Sequence, residues 1–289
     1  MNARALPIAG LRSIAERFDH VLLDQWGTLH EGKSAYPAAY QCVVRLRQAG
    51  KRVVVLSNSG KRADPNRNRL AALGLPSDAY DGMLSSGEVA WSGLRARQRE
   101  PFTQFGRACF LITRHHDRSI VDGLDVNIVA DLSDADFILL GGIDEDLSEP
   151  EHWRASLTTA AARRLPMLCA NPDLVMFGAG GLRPAPGALA ALYQSLGGPV
   201  HFVGKPHAPM FTAALERLGN PAPERVLVIG DSLDHDVAGG LAAGMLTLLI
   251  TSGAHREIFA TAADPQHALR ALAGSGLRMP HWTLKHLAW

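Results

Sequence analysis

His20-Val-Leu-Leu-Asp24-Gln-Trp26-Gly-Thr-Leu29 is a short apolar run that ends in an aspartate and a tight polar loop. The same design recurs along the chain. Arg52-Val-Val-Val-Leu56 runs into Ser57-Asn58-Ser59, His201-Phe-Val-Gly204 into Lys205-Pro206, and Val226-Leu-Val-Ile-Gly230 into Asp231-Ser-Leu-Asp-His-Asp236. Each run is nearly continuous in apolar residues rather than alternating, which suits strands buried on both faces of a parallel sheet. Helical patterns lie between them: Tyr36 to Ala49 before Gly50, Pro65 to Leu73 before Gly74, and Pro209 to Leu218 before Gly219. Alternation of strand and helix predicts an α/β fold, a doubly wound Rossmann-like parallel sheet.

In such a sheet the carboxyl ends of the strands share one edge, where ligands bind. Asp24, Ser57, Lys205 and the pair Asp231 and Asp236 are therefore expected in one crevice. Carboxylates held 4 Å apart repel by roughly 4 kcal/mol per pair at an effective dielectric of about 20. Lys205 offsets part of that repulsion, and a divalent cation is the natural complement. All-oxygen ligands favour Mg²⁺, which often joins carboxylates to a phosphate.

The 289 residues suggest two domains, or one with an insertion. Hydrophobic residues make up 47% and charged residues 20%, which excludes a disordered or fibrous chain. Lys plus Arg (29) nearly cancels Asp plus Glu (28), so the electrostatic footprint of a nucleic-acid or membrane-surface binder is missing. Cys42, Cys109 and Cys169 show neither metal-ligand spacing nor a disulfide framework, which fits a reducing compartment. The first ten residues lack a signal-peptide core, and the uncharged stretches Pro184 to Gly204 and Val237 to Ala254 are broken by glycine and proline. A cytoplasmic protein is the expectation. Within Val237 to Ala254, Gly244 divides a short helix from a short strand.

Residues 83–183 carry their own alternation and read as an inserted α/β domain: strands at Ala108 to Thr113, Phe137 to Leu140 and Pro166 to Ala170, helices at His116 to Gly123 and Glu151 to Arg164. Residues 1–82 and 184–289 then form the core. The glycine- and proline-rich stretch Phe177 to Gly187 reads as a hinge between the two. The tail beyond Pro265 shows no clear pattern.

The four motifs in this order, Asp-x-x-Gly-Thr-Leu, Ser-Asn, Gly-Lys-Pro and Gly-Asp-Ser-Leu-Asp-His-Asp, resemble those of the haloacid dehalogenase superfamily. The insertion between the second and third resembles the cap of class IIA members, as do Ala170-Asn171-Pro172-Asp173 and Gly204-Lys-Pro-His-Ala-Pro-Met-Phe211. The resemblance implies a Mg²⁺-dependent phosphatase for a sugar phosphate, nucleotide or similar small phosphoester. Asp24 would be the nucleophile that forms an aspartyl-phosphate. Ser57, Asn58, Asn171 and Lys205 would bind substrate, with Ser57 and Lys205 also catalytic. Asp24, the backbone carbonyl of Trp26, Asp231 and Asp236 would hold the metal. Pairing of caps into a homodimer is implied as well.

One position departs from the family pattern. Trp26 stands where such phosphatases carry the aspartate that protonates the leaving group. An indole has no acid or base chemistry near neutral pH. Losing a general acid of about 10²–10⁴-fold effect raises the barrier by about 3–5 kcal/mol. His30 and His207 are the candidate replacements, on loops at the same sheet edge. Two other functions fit this change: a catalytically weak or inactive protein that binds phosphate ligands, and a phosphotransferase. Each motif alone also has a purely structural reading, as a turn or a helix cap. His115 and His116 read as exposed loop residues, Trp91 and Trp153 as packing residues, and the basic cluster Lys61, Arg62, Arg67 and Arg69 as a solvated helix face.

Overall fold

A computed structural model describes residues 4–178, 181–274 and 279–289. Seven strands form one sheet in the order Leu6–Pro7, Trp282–Leu284, Leu246–Ile250, Val226–Gly230, His20–Asp24, Arg52–Ser57, Gly82–Ser85. The strand pairs from Leu6–Pro7 across to Arg52–Ser57 are parallel. Val21, Leu22 and Leu23 are fully buried, as are Val226, Leu227 and Ile229 on the adjacent strand, which is why these runs lack polar alternation. Helix Pro37–Gln48 starts on a proline and buries Ala39, Cys42, Val43 and Leu46, a spacing of three and four residues that lines one helix face. Helix Ala208–Leu218 ends at Gly219 in the left-handed region at φ 90°. Gly244, at φ 74°, separates helix Ala238–Ala242 from strand Leu246–Ile250.

The chain direction across the sheet reverses between His20–Asp24 and Val226–Gly230. Strands later in the first segment lie on one side of this junction, and those of the last segment on the other. Such a switch point opens a crevice at the carboxyl ends of its two strands. Leu23 pairs with Ile229 there, so Asp24 and Asp231 follow directly on either side of it.

The chain divides into two compact units. One comprises Met1–Ser57, Arg67–Leu84 and Lys205–Trp289; the other comprises Asn58–Asn66 and Ser85–Gly204. The inserted unit has its own parallel sheet, ordered Val200–Phe202, Met167–Cys169, Phe137–Leu140, Ala108–Ile112, Asn127–Ile128. The molecule is thus a Rossmann-like α/β core with an inserted α/β unit.

Several expectations need correction. The apolar run at His201 belongs to the inserted sheet, where Val200–Phe202 pairs with Met167–Cys169. Residues 184–204, expected in the core, therefore lie in the inserted unit. Helix Pro186–Ser195 holds them there, packing Leu189, Ala190 and Tyr193 against Leu157, Ala160 and Met167. The stretch read as a hinge forms an antiparallel hairpin, Val175–Gly178 with Gly181–Pro184, and its residues 179–180 lie outside the described residues. No α-helix spans His116 to Gly123; short 3₁₀ turns lie at Arg114–His116 and Ser119–Val121. The tail contributes helix Pro265–Ala273 and strand Trp282–Leu284, with Trp282 in the core. Among the described residues no helix is long and apolar enough to cross a membrane.

Candidate active site

Asp24, Asp231 and Asp236 each offer a carboxylate oxygen to a cluster whose atoms all lie within 4.8 Å of one another. Asp24 ends its strand. Asp231 follows the neighbouring strand, and Asp236 sits in one turn of π-helix, Leu233–Val237. The Ser232 side chain caps that turn by accepting from the His235 N–H at 3.2 Å. Backbone N–H groups hold two of the carboxylates. Asp231 Oδ2 accepts from the Ala254 N–H at 2.7 Å, and Asp236 Oδ2 accepts from the Ser232 N–H at 3.2 Å.

Glycine makes room for them. A Cβ on Gly27, which holds φ 76°, would lie 1.8 Å from Asp231 Oδ2, and one on Gly253 would lie 2.2 Å from the same atom. Both positions exclude any larger residue unless Asp231 moves, and Gly27 needs its φ as well.

Lys205 supplies the positive charge. Its ammonium donates to Asp24 Oδ1 and to Asp236 Oδ1, the latter at 2.7 Å, with the Lys205 side chain 3% exposed. Burial pulls the Lys205 ammonium down, but the two carboxylates outweigh burial and hold it above its ordinary value. Burial, reinforced by the neighbouring Asp236 and Asp231 charges, raises the Asp24 carboxyl well above the usual range despite Lys205. Burial and the Asp236 charge push Asp231 up to about 7. One cation thus faces three carboxylates, and the excess negative charge is what a divalent ion would neutralise. The all-oxygen donor set fits a hard cation such as Mg²⁺.

Of the residues singled out from sequence, Asp24, Lys205, Asp231 and Asp236 come together here. Ser57 ends the strand beside Asp24, whose register partner is Leu56. Asn58 and Asn171 lie in the inserted unit and share a partner: Asn58 Nδ2 donates to Asp173 Oδ1 at 2.7 Å, and Asn171 Oδ1 accepts from the Asp173 N–H at 3.1 Å. His30 is 4% exposed, and its Nδ1 accepts from the Gly32 N–H at 3.0 Å. Burial, with a smaller push from Arg69, lowers it to about 4. Burial, with His235 nearby, also lowers His207.

The seating of Asp231 against Gly253 and Ala254 escaped the sequence reading. The signal was present: strand Leu246–Ile250 ends in Thr251-Ser-Gly253, the same apolar-to-small-polar break that marks the other strand ends. In the inserted unit, Arg62 pairs with Glu88 at 2.7 Å and stacks 3.6 Å from the Trp91 ring centre, so this arginine is a structural residue rather than a solvated one. Trp91 and Trp153 donate their indole N–H groups to the Asp122 and Leu147 carbonyls, as packing residues do.

A family model described as haloacid dehalogenase-like hydrolase matches residues 21–127, and one described as HAD-hydrolase-like matches residues 202–274. Chronophin of Bos taurus is 30% identical, covering 97% of this chain and 94% of its own. D-glycerol 3-phosphate phosphatase of Mycobacterium tuberculosis is 28% identical over 96% of this chain and 75% of its own. A crystal structure of a haloacid dehalogenase-like family hydrolase from Brucella suis 1330 superposes with TM-score 0.80 at 30% identity, covering 97% and 99% of the two chains. The chain belongs to the haloacid dehalogenase-like hydrolase family. Within it the inserted α/β unit and the relatives place it in class IIA, among the phosphoric monoester hydrolases.

Proposed function

We propose that this protein is a Mg²⁺-dependent phosphatase that hydrolyses a small phosphoester through an aspartyl-phosphate on Asp24. The observation that carries the reading is the cluster of a largely buried Asp24 with buried Asp231, Asp236 and Lys205, at the switch point of a parallel sheet. Relatives named for sugar and glycerol phosphates support a small phosphorylated metabolite as substrate.

Asp24 supplies the attacking carboxylate oxygen, kept ionised in the working enzyme by positive charge beside it. Lys205 holds that carboxylate in place and offsets charge as the phosphoryl group arrives. Ser57 offers a hydroxyl to a phosphoryl oxygen at the end of the next strand. Asp24, Asp231, Asp236 and the Trp26 carbonyl would hold Mg²⁺, which when bound supplies positive charge to the phosphoryl oxygens. Attack forms the Asp24 oxygen–phosphorus bond and breaks the bond to the leaving oxygen. Water then displaces Asp24 from phosphorus and releases phosphate. Preorganised charge of this kind is the main source of catalysis in phosphoryl transfer.

The test is phosphate release from a panel of phosphorylated metabolites and one activated aryl phosphate, with and without Mg²⁺. Metal-dependent turnover that vanishes in Asp24→Asn is the expected result. Turnover surviving that substitution, or indifferent to chelation, would overturn it.

A further inference from the structure

The inserted sheet has a switch point of its own. Numbered in chain order, its five strands lie 2-1-3-4-5, so the winding reverses between Ala108–Ile112 and Phe137–Leu140. These two strands are parallel neighbours, and Ile112 stands opposite Leu140 at their carboxyl ends. An open parallel sheet of this order holds its ligand just beyond such a junction. A cavity lies there. Thr113 and Arg114 follow one strand, Gly141 and Gly142 follow the other, and all four line it together with Lys61 and Ser119. Its free space of about 30 Å³ admits a group a few atoms across rather than a ring system. Backbone forms part of the wall: a Cβ on Gly60 would stand 1.7 Å from the Gly141 carbonyl oxygen, and one on Gly142 would stand 2.9 Å from the Arg114 backbone nitrogen. The lining also holds two buried donors that make no hydrogen bond, Arg114 Nε and Ser119 Oγ. The outer end of the guanidinium is engaged, since Arg114 Nη2 donates to Glu145 Oε1 at 2.7 Å. Asp117 is the carboxylate of the lining, and its Oδ1 accepts from the Ser119 N–H at 2.9 Å. Against the upward push of burial, that N–H, the nearby Ser119 hydroxyl and the Lys61 charge hold the Asp117 carboxyl below its ordinary value. The hydroxyl is close to Asp117 without being aligned to donate to it.

We propose that this cavity is a second binding site, for a tetrahedral oxyanion: inorganic phosphate, or the phosphate end of a small metabolite. Every residue that lines it belongs to the inserted unit, whereas Asp24, Asp231 and Asp236 belong to the other. The proposal therefore does not depend on the phosphatase reading. Three observations of different kinds meet at one place. Topology puts a crevice at this junction. A buried donor left without an acceptor is costly, the more so when it carries charge, and oxygen atoms in the cavity would satisfy Arg114 Nε and Ser119 Oγ together. Two cations, Arg114 and Lys61, face the single negative charge of Asp117, so the lining favours an anion over a metal ion. Arginine suits phosphate in particular, because its planar, always charged donors match the oxygens in direction as well as in charge. The volume takes the anionic group alone, leaving the rest of any larger ligand outside.

Titration calorimetry of the full chain with inorganic phosphate, in the presence of a chelator, reads this site by itself, because the acidic cluster without a metal repels an anion. One phosphate per chain should bind, with a Kd of about 1 mM or tighter. Arg114→Gln and Lys61→Gln should each weaken binding about tenfold, and Ser119→Ala about fivefold. Arg118→Gln, at an exposed neighbour outside the lining, should shift it less than about twofold. Glycerol 3-phosphate in the same titration tells the two sources apart: tighter binding than phosphate names the ester, weaker binding the free anion. No binding up to about 10 mM phosphate, acetate binding as well as phosphate, or equal losses in Arg118→Gln and Lys61→Gln overturns the proposal. A crystal of the wild-type chain grown with phosphate and chelator decides without any variant. Phosphate on Arg114 Nε and Ser119 Oγ sustains the site, while water alone there, or phosphate only beside Lys205, overturns it.

Discussion

The Lys205 ammonium donates to the Asp236 carboxylate at 2.7 Å, with each side chain only 3% exposed. A buried ion pair of this kind is not worth its full Coulomb energy, because both partners have lost water. Breaking it from one side is another matter. Lys205→Met leaves Asp24 and Asp236 buried without their cation and should cost about 3–5 kcal/mol of stability as well as all turnover. Chemical denaturation checks the first and phosphate release the second. A variant as stable as wild type would mean that the carboxylates take up protons or a cation at no cost.

Gly27→Ala tests how tightly Asp231 is seated. The new methyl would fall 1.8 Å from Asp231 Oδ2, on a backbone already at φ 76°. Asp231 must swing away and the loop must strain, so the melting temperature should fall. Added Mg²⁺, expected to raise the wild-type melting temperature, should then have little effect. Thermal melts with Mg²⁺ and with a chelator give both answers. A Mg²⁺ response equal to that of wild type would show that Asp231 is not needed for the metal.

Acid stability should carry the signature of His30. Its folded-state value of about 4 lies below the ordinary 6.5, so the unfolded chain binds a proton that the folded chain refuses. Its contribution is full above pH 6.5 and is lost as pH falls from 6.5 to about 4, by about 2–4 kcal/mol. His30→Asn keeps an acceptor for the Gly32 N–H and removes the titration. The stability gap between wild type and this variant should therefore shift in favour of the variant between pH 7.5 and 4.5. A gap independent of pH contradicts the assignment.

The thiols should be silent. Cys42, Cys109 and Cys169 are buried, and burial pushes each up to about 12. At pH 8 the reactive thiolate is then about one part in ten thousand. A thiol reagent should label none of them in the native protein and all of them in denaturant. Rapid native labelling would reveal local opening, of the core around Cys42 or of the inserted sheet that carries Cys109 and Cys169.

The residues at the strand ends were legible because two demands coincide there. A strand buried on both faces must be apolar, and its last residue meets solvent at the ligand edge, so Asp24, Ser57 and Asp231 stand out sharply from the runs before them. That rule says nothing about which sheet a strand joins. Val200–Phe202 has the same pattern and precedes the essential-looking Lys205, yet it pairs with Met167–Cys169 in the inserted unit. Pairing is decided by helix Pro186–Ser195 packing onto that unit's core, a long-range preference with no local mark. Leu6–Pro7 and Trp282–Leu284 were hidden for a different reason: at two and three residues they are too short for any periodicity to show. Position alone singled out His30 for proton transfer. Its burial and its bond from Gly32 exist only in the folded loop.

The sheet order has a consequence for how the chain comes into being. The Asp24 strand lies against the Asp231 strand, yet the whole inserted unit is synthesised between them. At about 5–20 residues per second the ribosome takes roughly 10–40 s to cover that interval. During this time the first strands wait with an open edge, while the strands of the inserted sheet, nearly contiguous in the chain, have all they need to fold. The order of birth is thus the reverse of chemical importance: the accessory unit matures first, and the acidic cluster assembles only once Val226–Gly230 emerges to close the gap.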